Sequence, residues 1–84
     1  MGSKLLEQMR RNPRGDWSME DIVRVCNQAG IRCVPPRAGG SHYKVYCADM
    51  PEILTVPYKR PIKPVYIRRL VAFIDEAGKD AEQT

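Results

Sequence analysis

The sequence has no long hydrophobic run. None of its apolar stretches approaches the ~20 residues that a helix needs to cross a bilayer. The N-terminus also lacks the apolar segment of a secretory signal peptide, because Leu5 and Leu6 are followed at once by Glu7 and Gln8. We therefore expect a cytoplasmic protein with no membrane association.

Histidine and cysteine are both scarce. The chain has one histidine, His42, and three cysteines, Cys26, Cys33 and Cys47, with no Cys-x-x-Cys pair. A structural zinc site would need all of these side chains at once. We interpret the cysteines as small, buried apolar residues in a reducing compartment, and we expect no metal and no cofactor.

The chain is also short. Its 84 residues suffice for one domain, and a domain of this size buries only about 60–65% of the surface of its unfolded chain. Such a thin core leaves no room for a deep cavity that could hold an organic cofactor. We predict a single domain over residues 1–84, with its core in residues 18–78 and its functional site on the surface.

Acidic residues are few in the middle of the sequence. From Arg32 to Arg69 there are eight Lys and Arg residues against Asp49 and Glu52, a net charge of +6 in a chain of net charge +4. The tail after Leu70 is acidic instead. A basic middle is typical of proteins that bind a polyanion, although Lys and Arg are also common on ordinary solvated surfaces.

Two helices are predicted in the N-terminal part. The first extends from about Ser3 to Arg11 and ends at an Asn-Pro-Arg-Gly sequence. The second follows Ser18, which forms a capping-box pattern with Asp21. Gly30 stands where a left-handed residue would end that helix.

Three strands and a last helix follow. The strand candidates are residues 31–34, 41–47 and 53–56, each bounded by proline or glycine. Pro64 suits the first position of a helix, and Gly78 suits its end. Short connections favour an antiparallel meander. The order predicts an α+β domain, a three-stranded antiparallel sheet with helices on one face.

Alternation along the second strand separates two faces. The mostly apolar set, expected to face the helices, is Ser41, Tyr43, Val45 and Cys47. The polar set, expected to face outward, is His42, Lys44 and Tyr46. A lone histidine is more often an ordinary residue than a functional one. His42, however, follows Gly39-Gly40, whose missing side chains would let another backbone or a phosphate approach closely.

An exposed imidazole among cations suits the cleavage of RNA. A base that removes the proton of a 2′-hydroxyl allows it to attack the neighbouring phosphate, and imidazole can do this near neutral pH. Lys or Arg can stabilise the charge of the transition state. Lys44, Tyr46 or Tyr58 could protonate the leaving oxygen, or His42 could be the acid instead. No carboxylate cluster accompanies His42, so a metal-dependent nuclease is not predicted.

A second basic cluster precedes the last helix. Lys59, Arg60 and Lys63 stand where the helix dipole disfavours cations, so the cluster suggests either a bound phosphate or a solvated basic turn. We interpret Trp17, Phe73 and the remaining tyrosines as core or cap residues rather than as base-stacking platforms. The residues predicted to bind RNA are Arg37, Gly40, Ser41, Lys44, Tyr46, Lys59, Arg60 and Lys63.

Four segments between Glu20 and Gly78 resemble the HicA family of bacterial toxins. They are Ala29-Gly30-Ile31, Gly40-Ser41-His42-Tyr43, Leu54-Thr55-Val56-Pro57 and the helix start Ile62-Lys63-Pro64 through Leu70. The Gly-Ser-His triplet alone is a weak signal, and its order and spacing relative to the other three make the resemblance fairly specific. The leading helix, Lys44 and Val65-Tyr66 depart from the family pattern.

The resemblance implies an α-β-β-β-α fold like that of double-stranded-RNA-binding domains. It also implies an endoribonuclease that cleaves messenger RNA, the toxin of a type II toxin–antitoxin system, with His42 in the catalytic position. The implied partner is a HicB-type antitoxin, which covers the active surface and binds operator DNA. Two other functions also agree with the residues: a non-catalytic RNA-binding module, and a protein-interaction domain that docks an acidic partner.

Overall fold

The computed structural model describes residues 4–38, 40–48 and 50–83, with residues 79–83 by their backbone alone. The predicted helix start at Ser3, Gly39 of the predicted turn and the side chains of the acidic tail after Gly78 lie outside this description. The elements, in chain order, are α1 (Lys4–Arg11), α2 (Met19–Ala29), β1 (Arg32–Val34), β2 (His42–Tyr46), β3 (Ile53–Pro57) and α3 (Pro64–Gln83).

The strands form one antiparallel sheet in the order β1-β2-β3. The predicted α+β class and antiparallel meander are therefore confirmed. Prolines bound the strands: Pro35-Pro36 follows β1, Pro51 precedes β3 and Pro57 is its last residue. None of the helices in the described part of the chain is both long and apolar enough to span a bilayer.

Both predicted caps of α2 are confirmed. The Ser18 backbone N–H donates to the Asp21 carboxylate over 2.9 Å, and the Asp21 N–H donates to the Ser18 hydroxyl over 3.4 Å. Gly30 ends the helix in the left-handed region, at φ 72° and ψ 25°. This conformation costs glycine little because it has no Cβ, and it lets the chain turn toward β1, which begins at Arg32.

The predicted end of α3 at Gly78 is wrong, because the helix continues to Gln83. Of the glycines that the structure describes, Gly30 alone has a positive φ, so Gly78 does not take the cap conformation. Alanine, lysine and glutamate are frequent around Gly78, and these strong helix formers tolerate one internal glycine at a cost of about 1 kcal/mol.

The strand register assigns each side chain to a face of the sheet. On the inner face, Val45 and Val56 are fully buried against the helices. The outer face, where paired residues lie side by side, consists of Arg32, Tyr46 and Ile53 in one row, Val34, Lys44 and Thr55 in the next, and His42 with Pro57 in the last. Most of these outer side chains are exposed, as the alternation in β2 predicts.

The hydrophobic core includes a residue of the leading helix. Met9 of α1 is 0% exposed and belongs to the same hydrophobic cluster as residues of α2, the sheet and α3. An ion pair from α1 to α3 accompanies it, with Arg10 Nη1 2.6 Å and Nη2 2.8 Å from the Asp75 carboxylate. The leading helix is therefore packed on the domain.

The loop between β3 and α3 is attached to the segment before α2. Ile62 is 2% exposed, and its backbone N–H donates to the Trp17 carbonyl over 2.9 Å. The Trp17 indole N–H in turn donates to the Asn12 carbonyl over 2.8 Å. These contacts hold the basic loop of residues 58–63 beside the N-terminus of α2.

Gly40 leads into β2 at a point where a side chain does not fit. A Cβ on Gly40 would lie 2.7 Å from Pro36 Cβ and 3.1 Å from the Arg37 carbonyl oxygen. Because the proline ring cannot rotate away, we expect Gly40→Ala to lower the free energy of unfolding by about 1–3 kcal/mol. Urea denaturation followed by circular dichroism measures this change.

Gly78→Ala is the matched control for Gly40→Ala. Nothing lies within 4 Å of a Cβ at Gly78, and the position is helical. Alanine there should raise the free energy of unfolding by about 0.5–1 kcal/mol. Equal effects of the two substitutions would contradict the steric role of Gly40.

Candidate nucleic-acid interface

His42 is the first residue of β2, and its side chain is exposed on the outer face of the sheet. Its Nδ1 lies 3.0 Å from the Ser41 hydroxyl oxygen. This contact fixes the ring through Nδ1, and leaves Nε2 as the nitrogen available to a ligand. The sequence prediction that His42 faces outward is confirmed.

The Ser41 contact allows two tautomers with different chemistry. If the Nδ1–H donates to the Ser41 oxygen, Nε2 carries a lone pair and can accept a proton. If the serine O–H donates to Nδ1, Nε2 carries the hydrogen and can donate it. The same geometry therefore serves a general base or a general acid, the two roles left open by the sequence.

Lys44 and Arg32 provide positive charge on the same face. Lys44 follows His42 by two residues on the same strand, about 7 Å along it at the usual rise. Arg32 lies in the neighbouring row, opposite Tyr46. Both cations are exposed, and neither forms an ion pair with any residue of the described ranges. Their charge is therefore available to an anionic ligand.

The turn before β2 contains Arg37, Gly40 and Ser41. The Gly40 N–H donates to the Arg37 carbonyl over 2.8 Å. The Arg37 backbone is therefore held against Gly40, which precedes His42 by two residues. The missing side chain of Gly40 makes room for Pro36 and for this carbonyl. The close approach of another backbone, one of the two reasons that we predicted for the glycine, is therefore present at Gly40.

The basic loop of residues 58–63 is arranged differently from the sequence prediction. Arg60 Nη2 and Nε lie 2.9 and 3.2 Å from the two oxygens of Asp16, and these hydrogen bonds raise the pKa of the guanidinium. The anion beside Arg60 is therefore a carboxylate of the protein itself. The two side chains are 67% and 66% exposed, so the pair contributes little to stability.

Lys59 and Lys63 remain unpaired among the residues that the structure describes. The Lys63 carbonyl accepts the first hydrogen bonds of α3, from Tyr66 at 3.0 Å and Ile67 at 3.3 Å. Lys59 follows Pro57, the strand partner of His42, by two residues. Lys63 directly follows the buried Ile62, which separates it from Lys59 along the loop.

The structure brings only part of the predicted set together. The turn residues Arg37, Gly40 and Ser41 and the loop residue Lys59 share the end of the sheet with His42. Lys44 is one row away. Tyr46, half-buried, lies at the opposite end of β2, about 13 Å from His42 along the strand. Arg60 is engaged by Asp16.

Sequence reasoning named Tyr58 as a candidate acid but did not predict its exposed, stacked ring. Its ring is 64% exposed and stacks on Tyr43, with ring centroids 5.8 Å apart and planes inclined by 19°. Its backbone N–H donates to the Ser41 carbonyl over 2.7 Å, so it continues the β2–β3 pairing next to His42. The core and cap interpretation agrees with the 6% exposure of Phe73 and the half-buried Trp17.

The available signal for an exposed ring was the position of Tyr58 directly before two cations, Lys59 and Arg60. Asp16 could not be found from the sequence, since its contact with Arg60 joins residues 44 positions apart.

Comparison with known proteins gave no match. No protein-family model, no curated protein and no solved structure matches this chain significantly. Within the part of the chain that the structure describes, no three His, Cys, Asp or Glu side chains lie together as the ligands of a metal would. Cys26, Cys33 and Cys47 are free thiols.

Proposed function

We propose that this protein is an endoribonuclease toxin of the HicA type, in which His42 transfers protons during the cleavage of messenger RNA. The observation that supports this most is the exposed imidazole at the end of an open sheet face, oriented by Ser41 and bordered by the unpaired cation Lys44. The Gly-Ser-His resemblance supplies the reaction class.

The proposed reaction needs no group outside the protein and the RNA. Nε2 of His42 takes the proton of a ribose 2′-hydroxyl, and the 2′-oxygen forms a bond to the adjacent phosphorus. The bond from phosphorus to the 5′-oxygen of the next nucleotide breaks, and that oxygen takes a proton. The products are a 2′,3′-cyclic phosphate and a 5′-hydroxyl. Lysine ammonium groups stabilise the charge of the transition state.

Distance along the sheet ranks the candidates for the leaving-group acid. Lys44 is about 7 Å from His42 along β2, and Tyr58 stands beside Ser41. Tyr46, at about 13 Å, is too far to reach the same phosphate. We therefore propose Lys44 or Tyr58, with His42 itself as the acid if the base is elsewhere.

The resemblance extends the proposal to fold family and partner. The order β-β-β-α after α2 supports a fold like that of double-stranded-RNA-binding domains. A HicB-type antitoxin in the cytoplasm is the proposed protein partner. The unpaired cations support such a partner only in a general way, because an acidic protein and RNA both complement a basic surface.

RNA cleavage in EDTA tests the proposed function. Purified protein is incubated with a mixed-sequence RNA, and the ends of the products are examined. We expect fragments with 2′,3′-cyclic phosphates and 5′-hydroxyls. RNA that stays intact in the presence of folded protein would overturn the proposed enzymatic activity. RNA that is bound but uncut would favour a non-catalytic RNA-binding module.

We expect Lys44 to contribute to the salt dependence of the RNA-binding constant. Each phosphate neutralised by a cation contributes about 0.7 to the slope of log K against log salt for single strands. We expect Lys44→Ala to reduce this slope by about 0.7, measured by fluorescence anisotropy at several salt concentrations. Lys4→Ala, which removes an exposed cation from α1, should leave the slope unchanged. Equal slopes for the two variants would exclude Lys44 from the RNA surface.

A further inference from the structure

A groove follows the N-terminal turn of α2 beside Tyr58. Two depressions form it, of about 390 and 150 Å³. Both are lined by Met19, Glu20 and Tyr58. Arg24 and Tyr43 complete the larger one, and Lys59 and Arg60 the smaller one. The groove therefore has Met19, the Tyr58 ring and the Glu20 carboxylate along its length, and cations at both ends.

Tyr58 presents an unusual amount of aromatic surface to solvent. Burial of a ring is favourable, yet Tyr58 is 64% exposed while the ring of Phe73 is 6% exposed. The offset stack on Tyr43 holds the Tyr58 ring in one orientation. A ring that is exposed and held in place is ready to receive a second flat ligand with little loss of conformational entropy.

The groove begins at the end of the sheet that carries His42. The Tyr58 N–H donates to the Ser41 carbonyl, and the Ser41 hydroxyl contacts the imidazole. Tyr58 stacks on Tyr43 on the helix-facing side of the sheet, whereas His42 is exposed on the outer face. A strand of RNA that passes around this end of the sheet can therefore reach both residues.

The charges at the ends of the groove suit a ligand with a phosphate on each side. Lys59 has no ion-pair partner in the described ranges, and Arg60 is held only by its exposed contact with Asp16. Arg24 at the other end is 63% exposed and lies 3.9 Å from Asp21, a loose pair. Phosphates can compete for all three cations, because none is buried.

We propose that this groove is a nucleobase subsite, in which one unpaired base of single-stranded RNA stacks on Tyr58 while the adjoining backbone passes the end of the sheet that carries His42. The inference rests on the proposed function and adds the form of the substrate, an unpaired nucleotide. Stacking on an exposed aromatic ring accepts any base, since each has a π-face.

Glu20 gives the groove a preference among bases. Its exposed carboxylate borders both depressions and can only accept hydrogen bonds when ionised. Cytosine carries a donor amino group where uracil carries an acceptor oxygen, and carboxylates accept from that amino group. The subsite therefore favours cytosine over uracil, two bases of the same size, by several-fold.

Tyr58→Ala tests the stacking. The probes are 2′-O-methyl oligonucleotides of cytosine and of uracil, which lack the attacking hydroxyl and cannot be cut, and an abasic chain with the same number of phosphates. We expect Tyr58→Ala to weaken binding of the oligonucleotides about tenfold, with an unchanged salt slope and unchanged binding of the abasic chain. Tyr58→Trp should keep the affinity and show indole fluorescence that the bases quench.

Ile53→Ala is the matched control for Tyr58→Ala. Ile53 is 61% exposed and lies five residues from Tyr58, about 16 Å along β3, so its loss should not change the affinity. Glu20→Gln should abolish the preference for cytosine. Equal binding by wild type and Tyr58→Ala would overturn the subsite even if the protein cuts RNA. Failure of the wild type to bind or cut any RNA would instead overturn the proposed function.

Discussion

His42→Ala is expected to lower the rate of RNA cleavage by about 10²–10⁴-fold, the usual contribution of one general acid–base group. The imidazole is exposed and contacts the hydroxyl of the neighbouring Ser41, so its removal should change the free energy of unfolding by less than about 0.5 kcal/mol. Initial rates with a fluorescent RNA in EDTA, together with urea denaturation of the same preparation, measure both quantities.

Gln8→Ala is the control for contaminating nucleases. Gln8 is an exposed residue of α1, and the variant can be purified in the same way as His42→Ala. Cleavage should persist in Gln8→Ala and be lost in His42→Ala. If His42→Ala cuts RNA at the rate of the wild type while correctly folded, the imidazole has no part in the reaction.

Met9→Ala is expected to lower the free energy of unfolding by about 2–5 kcal/mol. Met9 is fully buried in the shared core, and its truncation removes apolar contacts and leaves a cavity where α1 meets the domain. A domain of this size has a total stability of roughly 5–15 kcal/mol, so the loss is a large fraction of it. Thermal and urea denaturation measure the change.

The adjacent Gln8→Ala is again the matched control. It lies on the exposed side of the same helix, so its effect should stay within about 0.5 kcal/mol. The contact of Arg10 with Asp75 is solvent-exposed and contributes little by comparison. If Met9→Ala is as stable as Gln8→Ala, then α1 is an appendage that the domain does not need.

The helices and strands could be predicted where residues close in sequence determine their ends and faces. Ser18 and Asp21 complete a capping box within one turn, and Gly30 ends the same helix by its own conformation. Prolines and glycines bound the strands, and alternation in β2 places His42 outward whatever the rest of the chain does. These features depend on neighbours a few residues away, and the sequence displays those neighbours directly.

The end of α3 and the ion pair of Arg60 cannot be predicted from one residue and its nearest neighbours. A glycine ends a helix only when the chain turns there, and the sequence around Gly78 favours further helix. Arg60 meets Asp16 because Ile62 hydrogen-bonds to Trp17, a contact between distant segments. The exposure of Tyr58 has the same origin, since pairing with Ser41 holds it at the end of the sheet. Residue types and spacing do not reveal such contacts.

The prolines around the strands also have a consequence for behaviour at high concentration. An open three-stranded sheet has two outer edges, and an unprotected edge can pair with a second molecule and seed aggregation. Here β1 offers only residues 32–34 before Pro35-Pro36, and β3 ends at Pro57, which has no N–H to donate. The same residues that limit the strands thus discourage edge-to-edge association between copies of the chain, while the broad outer face stays open to ligands.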